Sequence, residues 1–321
     1  MIAATVSQAL FLDKRGDDEE VSKEAVMAED LKARWPRMVK PPQLDEYAER
    51  YAEFFKFERR DGILEVRMHT NDGPWTQDWA GHNAFGRVFQ EIGTDSENEV
   101  IILTGTGDVW FDSHPSLAVP VTSIDETIQI FYDSVKEMEN LIFGIDVPTI
   151  AAVNGPAPGH SQIAIACDIT LCSDRTVFVD PHFLSGRPPG DGLGLTYQEL
   201  MGTKRAAYNL YTSQLIDAQA ALDLGLVSEV VPHDQLRDRA WTLAEMIMRR
   251  PRAARRATHA IISRPWKQRL VSDFGFQLMH QFWGYRVDTM HAPPDYTTKV
   301  LDGDIADGAE WVASVHRAGE R

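Results

Sequence analysis

Two kinds of hydrophobic pattern follow each other along the chain from residue 54 onward. The runs Phe55-Lys56-Phe57-Glu58 and Ile63-Leu64-Glu65-Val66-Arg67-Met68 flank an Asp61-Gly62 turn, which predicts a β-hairpin. Three continuous apolar runs, each ended by polar or glycine residues, predict buried parallel strands. These strands cover Val100–Thr104, Thr149–Val153 and Ile169–Cys172.

Helical spacing of apolar positions lies between these strands and dominates the last third of the chain. The predicted helices cover 80–93, 127–143, the short buried stretch 164–167, 234–248, 252–262 and about 268–290. Strands that alternate with helices predict an α/β fold, and in such folds ligand sites lie at the carboxyl ends of the strands.

Composition along the chain predicts three regions. Residues 1–45 contain the acidic run Asp17-Asp18-Glu19-Glu20 and end near Pro41-Pro42, which predicts a mobile arm and a linker. Residues 46–233 form the α/β core, and residues 234–321 form a helical region. The helical region carries apolar residues that we expect to be exposed and to form an oligomerisation surface: Phe274, Phe276, Leu278, Phe282 and Trp283.

Composition and charge exclude several classes of protein. Of 321 residues, 43% are hydrophobic and 25% are charged, as in a folded globular chain. A net charge of −16 without a basic block argues against nucleic acid and anionic membranes as partners. The chain has no run of about 18 apolar residues and no secretion signal at its first residues. Its two cysteines, Cys167 and Cys172, cannot form a disulfide framework, so we expect a cytoplasmic location.

Motifs for nucleotides and metals do not match. Gly105-Thr106-Gly107 lacks the third glycine of a dinucleotide fingerprint, and no long helix is predicted after the glycines at 190, 192 and 194. The sequence contains no phosphate-binding loop, no HExxH motif and no paired cysteines. The ten histidines are scattered, so we expect neither a metal site nor a cofactor.

The stretch Gly159-His160-Ser161-Gln162-Ile163 half-matches the nucleophile elbow of serine hydrolases. The second glycine of the elbow is replaced by Ile163, and Pro156-Ala157-Pro158 separates the stretch from the preceding strand, so a serine hydrolase is disfavoured. The pattern instead predicts a loop that enters a helix at Gly159 and His160. Free backbone N–H groups at such a helix start form an anion site.

Several separate motifs resemble the crotonase (enoyl-CoA hydratase/isomerase) superfamily, in order and with its spacing, over about residues 54–265. The motifs are Leu103-Thr104-Gly105, Ala151-Ala152-Val153-Asn154-Gly155, Ala166-Cys167-Asp168-Ile169, Pro189-Gly190-Asp191-Gly192 and Leu222-Asp223-Leu224-Gly225-Leu226-Val227. The resemblance implies a spiral of ββα turns with a C-terminal helical trimerisation region, and a homotrimer or a dimer of trimers. It also implies an oxyanion hole made by the backbone N–H groups of Asp112 and Gly159, which suits carbonyl chemistry.

Departures from the hydratase pattern are specific. Hydratases of the superfamily use two glutamates, and the corresponding positions are Gln162 and His182. An amide does not titrate, so Gln162 cannot be a general base. The element that holds the CoA thioester in the family reads Asp112-Ser113-His114-Pro115 here. These changes disfavour ordinary hydratase activity and CoA binding.

The departures resemble the β-diketone hydrolase subfamily typified by 6-oxocamphor hydrolase, which cleaves cyclic β-diketones by a retro-Claisen reaction without CoA. The matching segments are Pro181-His182-Phe183, Pro189-Gly190-Asp191-Gly192 and the histidine that follows Asn154-Gly155-Pro156. The resemblance implies that His182 activates water and that Asp191 orients it. His160 and His82 correspond to two further active-site histidines.

Substrate-binding residues also follow from this resemblance. The subfamily uses a tryptophan whose ungapped equivalent is Gln77, with Trp75 and Trp79 two positions to either side. Its C-terminal glutamate corresponds to Gln281. We therefore expect Trp75, Trp79, Gln162 and Gln281 to contact the substrate.

Three functions remain open from the sequence. The first is a hydrolase that needs no cofactor and cleaves a C–C bond of a cyclic β-diketone, because a histidine with a carboxylate partner makes water nucleophilic near neutral pH. The second is a CoA-dependent crotonase with altered chemistry. The third is an inactive trimer that binds partners through its acidic arm.

Overall fold

A computed structural model of the chain describes residues 39–113, 123–183 and 187–291, without the side chains of Ser113 and of residues 285–291. The chain divides into two compact units, Met1–Pro41 and Pro42–Arg321. All elements below belong to the second unit, and the predicted acidic arm lies outside the described residues. The predicted boundaries at 45/46 and 233/234 stay predictions.

A six-stranded sheet forms the centre of this unit, in the order β1-β2-β4-β6-β7-β10. The predicted hairpin pairs β1 with β2 in antiparallel fashion, and Asp61 and Gly62 at its turn have φ angles of 49° and 81°. Every other neighbouring pair is parallel, as the continuous apolar runs predicted. The six strands are β1 (Phe55–Arg60), β2 (Ile63–Met68), β4 (Val100–Thr104), β6 (Thr149–Val153), β7 (Ile169–Ser173) and β10 (Glu229–Val231).

Short strands and helices surround this sheet. Two small two-stranded pairs are β3 (Thr76–Gln77) with β5 (Asp112–Ser113) and β8 (Val177–Phe178) with β9 (Ile216–Asp217). The helices are α1 (Leu44–Arg50), α2 (Trp79–Thr94), α3 (Ile124–Glu139), α4 (Ser161–Ile165), α5 (Leu193–Thr212), α6 (Ala218–Leu224), α7 (Leu236–Met248), α8 (Arg252–Ile262), α9 (Arg264–Arg269) and α10 (Gly275–His291). This arrangement is the α/β spiral with C-terminal helices that the sequence predicted.

Helix boundaries differ from the predictions where side chains cap or interrupt the helices. α3 begins three residues before Thr127, because Ser123 and Glu126 form a capping box. A π-helical turn at Leu270–Phe274 joins α9 to α10, so the helix predicted near 268–290 is present and contains one wider turn. α4 begins at Ser161, two residues after the predicted start at Gly159, and has only five residues; the anion site predicted at Gly159 and His160 stays a prediction.

The prediction that no long helix follows the glycines at 190, 192 and 194 is also wrong. α5 begins at Leu193, directly after Gly192, and spans 20 residues. Gly202 interrupts it with a φ of 76°, where a glycine adopts a left-handed conformation at little cost. Glycine and β-branched residues weakened the helical signal, and burial of the first two turns of the helix outweighs that weakness.

The loops after β4 and β6 are joined by one buried side chain. Oδ1 of Asn154 accepts a hydrogen bond from the Gly105 N–H at 3.1 Å, and its Nδ2 donates to the carbonyl oxygens of Gly107 and Val109 at 2.7 and 3.0 Å. At Gly155 a Cβ atom would lie 1.7 Å from the carbonyl oxygen of Asp108, so this close approach requires glycine. The two strand ends that border the candidate site are thereby held together.

The C-terminal helices are attached to the core by buried contacts. His259 on α8 donates from one ring nitrogen to Asp168 at 2.7 Å, and its other nitrogen lies 3.1 Å from the carbonyl oxygen of Ile145. Phe274 and Leu278, which the sequence predicted to be exposed, are buried in the core. Phe276 and Trp283 are exposed as predicted. Within the described part of the chain, no helix has the length and apolar character needed to cross a membrane.

Candidate active site

His182 lies between two buried carboxylates. Its Nδ1 atom is 2.8 Å from Oδ1 of Asp180, and its Nε2 atom is 3.2 Å from Oδ2 of Asp191. The side chain of Asp180 is 1% exposed and that of Asp191 is 10% exposed. The fold therefore brings together the predicted pair His182 and Asp191, and it adds Asp180, which the sequence analysis did not single out.

The two carboxylates control the charge of His182. Burial lowers the pKa of the ring, but Asp191 and Asp180 outweigh burial and raise this pKa to about 10. Burial raises the pKa of the Asp191 carboxyl, and His182 outweighs that effect and holds the pKa well below its usual range. At neutral pH the ligand-free site therefore holds an imidazolium next to carboxylates.

α10 brings Gln281 to the same histidine. Oε1 of Gln281 accepts a hydrogen bond from the Gly190 N–H at 2.8 Å, and its Nε2 lies 3.3 Å from Nε2 of His182. This approach requires glycine at position 190, because a Cβ atom there would lie 2.2 Å from the carbonyl oxygen of Gln277. The predicted substrate-binding residue Gln281 thus contacts the predicted water-activating histidine.

His160 belongs to a second polar group, built on Glu137 of α3. Its Nδ1 is 3.3 Å from Oε1 of Glu137, and its Nε2 is 3.2 Å from Nε2 of Gln77. Burial lowers the pKa of His160, but Glu137 outweighs burial, so the pKa lies above its usual value. The ring also stacks on Phe111 with a centroid distance of 4.9 Å. The backbone of His160 is left-handed, with a φ of 47°, which is uncommon away from glycine and typical of functional loops.

His82 and Gln162 contact the same carboxylate. Nε2 of His82 lies 4.0 Å from Oε2 of Glu137, and the rings of His82 and His160 are 5.4 Å apart. Burial lowers the pKa of His82, and the partly opposing effect of Glu137 does not reverse this. Gln162 is buried and donates from Nε2 to Oε1 of Glu137 at 3.2 Å. The amide therefore holds a carboxylate in place instead of titrating.

The two groups adjoin and form one site. A Cβ atom at Gly192, next to Asp191, would lie 3.1 Å from Cγ of Gln162. The charges of Asp191 and His182 both influence the pKa of His160. The four predicted catalytic residues, His182, Asp191, His160 and His82, are thus gathered from four separate segments of the chain.

His82, Glu137 and His160 also have the chemistry of a metal site. One donor atom from each lies within 4.8 Å of the others, and two imidazoles with a carboxylate suit zinc or iron. The sequence predicted no such cluster, because His82 and His160 are far apart along the chain. Nδ1 of His160 already faces Glu137 at hydrogen-bond distance, so a proton can occupy the position that a metal would take.

The two backbone N–H groups predicted to form the oxyanion hole, those of Asp112 and Gly159, have different surroundings in the structure. The N–H of Asp112 donates to the carbonyl oxygen of Trp75 at 3.0 Å within the β3–β5 pair. The prediction for Asp112 is therefore wrong for this structure, because an N–H group engaged in a strand pair is not available to a ligand oxygen. Gly159 is buried and packs on Phe111, where a Cβ atom would lie 3.1 Å from the ring. Across the described ranges, its N–H group has no hydrogen-bond acceptor.

The two tryptophans predicted to contact the substrate, Trp75 and Trp79, also have different surroundings. Trp79 is half-buried on α2 and packs edge-on against His82, at a centroid distance of 5.9 Å. Trp75 is 1% exposed and stacks on Phe55 at 5.5 Å, in an aromatic cluster that includes Phe85. Trp75 is thus a core residue and not a wall of the site, because its large apolar ring is buried by the hairpin and α2.

Sequence reasoning missed Asp180 and Glu137 and gave Gln77 no role. Asp180 had a usable signal, since a carboxylate two residues before a histidine can bond to that residue in an Asx turn. Glu137 had none, because it lies among the charged residues of an amphipathic helix. Gln77 stands between the two tryptophans and contacts His160 in their place.

Comparison with known proteins finds, along most of this chain, the family that the sequence motifs resemble. Residues 58–283 match enoyl-CoA hydratase/isomerase. Carnitinyl-CoA dehydratase of Citrobacter koseri is 30% identical over 200 residues, which cover 61% of this chain and 75% of that protein. Hydroxycinnamoyl-CoA hydratase-lyase of Pseudomonas fluorescens is 28% identical over 211 residues, which cover 64% of this chain and 76% of that protein.

Solved structures agree on the fold. A β-diketone hydrolase from the cyanobacterium Anabaena, bound to (S)-3-oxocyclohexyl acetic acid, is 35% identical, with a TM-score of 0.71. The alignment covers 77% of this chain and 98% of that one. An enoyl-CoA hydratase/isomerase from Mycobacterium paratuberculosis has a TM-score of 0.70 at 20% identity, over 78% of this chain and 98% of that one.

Proposed function

We propose that this chain, which belongs to the enoyl-CoA hydratase/isomerase family, is a hydrolase that cleaves a C–C bond of a cyclic β-diketone without CoA. The substrate class is a cyclic or bicyclic compound with two carbonyl groups on either side of one carbon. The reaction is a retro-Claisen cleavage in which water supplies the nucleophile. Its product is a ketone that carries a new carboxylate.

The observation that carries this proposal is the grouping of His182, Asp191, His160 and His82 around one site. Nε2 of His182 and Oδ2 of Asp191 are 3.2 Å apart, and His160 and His82 share Glu137. The 35% identity to a β-diketone hydrolase supports the same reaction. The compound bound to that neighbour is a ring ketone with a side-chain carboxylate, which is the kind of product that such a cleavage yields.

The chemistry follows from the general behaviour of carbonyl groups. Neutral His182 takes a proton from water, and the hydroxide oxygen bonds to one ketone carbon. The bond from that carbon to the carbon between the two carbonyls breaks, and its electron pair becomes an enolate. The Gly159 N–H and the His160 ring are the proposed donors to the enolate oxygen. Protonation at carbon completes the keto acid, and the pKa of His182 near 10 implies that the rate rises with pH.

A CoA-dependent enzyme with altered chemistry is the second candidate. It is favoured by the names of the curated relatives, which include a dehydratase and a hydratase-lyase for CoA substrates. Against it stands Gln162, because an amide cannot replace the titrating glutamate that a hydratase uses at this position. A rise in melting temperature on addition of CoA would support this candidate.

Isotope labelling tests the first candidate directly. Turnover of a panel of cyclic β-diketones in D₂O without CoA should place one deuterium on the α-carbon of the ketone. In H₂¹⁸O the label should enter only the new carboxylate, as measured by mass spectrometry. A β-hydroxy product, or a reaction that requires CoA, would reject the retro-Claisen proposal. Loss of turnover in His182→Ala assigns the activity to this site.

A further inference from the structure

Two carboxylates lie next to His182, those of Asp191 and Asp180. Their presence alone does not tell which of them orients the imidazole ring. We propose that Asp180, and not Asp191, is the positioning residue that sets the tautomer of His182, by accepting the Nδ1–H and leaving Nε2 to take the proton from water. This inference rests on the proposed function, in which His182 takes a proton from the water that bonds to the ketone carbon. It concerns a residue that the sequence analysis did not assign.

The contact to Asp180 is the shorter and the better anchored of the two. Oδ1 of Asp180 lies 2.8 Å from Nδ1 of His182, whereas Oδ2 of Asp191 lies 3.2 Å from Nε2. The same Oδ1 accepts a hydrogen bond from the His182 backbone N–H at 2.8 Å, which closes an Asx turn across Pro181. Asp180 is 1% exposed, so solvent does not compete for this oxygen.

Gln281 indicates the state of the other ring nitrogen. Its Oε1 is occupied by the Gly190 N–H at 2.8 Å, so its amide NH₂ must face Nε2 of His182, which lies 3.3 Å away. An NH₂ group donates and cannot accept, so this orientation favours Nε2 as an acceptor. When the imidazolium loses one proton, a neutral ring that keeps its proton on Nδ1 satisfies both Asp180 and Gln281.

The nitrogen that carries the proton decides which nitrogen of His182 acts as the base. A neutral imidazole has one N–H, and the nitrogen without it is the base. If Asp191 held the proton on Nε2, the base would be Nδ1, which faces the buried Asp180. If Asp180 holds the proton on Nδ1, the base is Nε2, on the side of Asp191 and Gln281. Water then gives its proton to Nε2, its oxygen bonds to the ketone carbon, and the imidazolium that forms donates to Asp191.

The charge of His182 responds to groups on each segment packed against it. Asp191 and Asp180 raise the pKa of His182 against the effect of burial, and the charge of His182 in turn lowers the pKa of His160, which shares the site. Burial raises the pKa of the Tyr197 phenol on α5, and the nearby charge of Asp180 raises it further. Gln281 of α10 is neutral. Substitution of either aspartate should therefore lower the pKa of His182, but only one substitution should change its tautomer.

Two matched variants separate the roles of the carboxylates. Asp180→Asn and Asp191→Asn each remove one charge and keep one acceptor oxygen. Nitrogen-15 magic-angle-spinning spectra of histidine-labelled protein report the tautomer of the neutral ring, with the His182 signals assigned by their loss in His182→Ala. For the neutral ring we expect the Nδ1–H tautomer in the parental protein and in Asp191→Asn, and a shift towards the Nε2–H tautomer in Asp180→Asn. An Nε2–H tautomer in the parental protein or in Asp191→Asn, or an unchanged tautomer in Asp180→Asn, would overturn the proposal.

Kinetics provide the second readout on an accepted diketone. Asp180→Asn should lower kcat by about 10²–10⁴-fold with little change in KM, as expected for a base in the wrong tautomer. Asp191→Asn should lower kcat by about tenfold, and the reverse order would contradict the proposal. Asp108→Asn is the control, since Asp108 is exposed and lies 3.6 Å from His233 outside the site.

The design separates the two proposals. If no diketone is hydrolysed, the proposed function fails while the spectra still decide which carboxylate positions His182. If Asp180→Asn does not fold, the tautomer of the neutral ring in the parental protein decides the question alone.

Discussion

At the scale of single residues, the site depends on which side chains can change charge. His160 and His82 face the same Glu137, yet their pKa values are shifted in opposite directions. His160 touches the carboxylate at 3.3 Å, whereas His82 lies 4.0 Å away and is dominated by burial. The two neighbouring imidazoles therefore favour opposite charge states, His160 the protonated one and His82 the neutral one. Such separation is how one site supplies both a charged and a neutral proton donor.

Replacement of His182 by Ala should remove the base that activates water. We expect kcat for the diketone to fall by about 10²–10⁴-fold, with far-ultraviolet circular dichroism unchanged. His233→Ala is a matched control, because His233 also lies near an aspartate but outside the site. A His182→Ala variant with parental kcat would refute the assigned role.

The raised pKa of His182 also predicts a pH dependence of stability. Below its ordinary value of 6.5 the ring is protonated in both folded and unfolded chains, so its stabilisation is fully present. Between 6.5 and about 10 only the folded chain holds the proton, so the free energy of unfolding should fall as pH rises. One proton limits the slope to about 1.4 kcal/mol per pH unit.

Urea unfolding at several pH values checks this slope. The difference between the parental protein and His182→Gln isolates the contribution of this ring, since other titrating groups are common to both. That difference should decrease as pH rises from 6.5 towards 10. A difference that stays constant over this range would contradict the assigned pKa.

At the scale of elements, the position of α10 against the loop before α5 places Gln281 at His182. The loop backbone at Gly190 touches the helix backbone, since a Cβ atom there would lie 2.2 Å from the Gln277 carbonyl oxygen and 2.8 Å from Cβ of Gln281. A helix and a loop that pack backbone to backbone leave no room for adjustment. The geometry of the site therefore depends on a glycine that carries no chemistry.

Gly190→Ala should displace α10 and move Gln281 away from His182. We expect a lower kcat and a loss of stability of about 1–3 kcal/mol, because the added methyl group overpacks a backbone contact. Gly275→Ala is the matched control, since a Cβ atom there would meet no neighbour within 4 Å among the described residues and its φ of −60° is helical. Alanine there should raise stability by about 0.5–1 kcal/mol. Equal effects of the two substitutions in chemical denaturation would contradict this account.

At the scale of the whole molecule, the C-terminal helices leave apolar side chains in solvent. Val271, Phe276 and Trp283 are 79%, 68% and 69% exposed. Large apolar side chains that form a patch in solvent are typical of surfaces that another protein covers. We expect a second and a third copy of this chain to cover them, in a homotrimer or a dimer of trimers.

Light scattering should therefore give three or six times the mass of one chain. Phe276→Asp combined with Trp283→Asp should shift the mass towards a monomer, because a carboxylate in an apolar interface loses its hydration. Met246→Asp is the control, on the exposed side of α7. A monomer in the parental protein would reject the trimer.

Local sequence signals were sufficient for much of the fold. Periodicity and turn chemistry, which act over a few residues, predicted the Asp61-Gly62 hairpin and the buried strands that pair in parallel. The family motifs likewise predicted His182, Asp191, His160 and His82 as residues of one site. The signals failed at α5 and at Trp75, where packing outweighs local preference, and they did not show the π-helical turn between α9 and α10.

Only the folded chain decided which partner each of these side chains has. Glu137 reaches His160 across 23 positions, and Gln281 reaches His182 across 99. No local pattern encodes such contacts, because they depend on how helices pack against the loops at the strand ends. The charge of each histidine depends in turn on burial and on the nearest carboxylate. The chemical types of the site residues could therefore be predicted from the sequence, whereas tertiary packing sets their protonation and orientation.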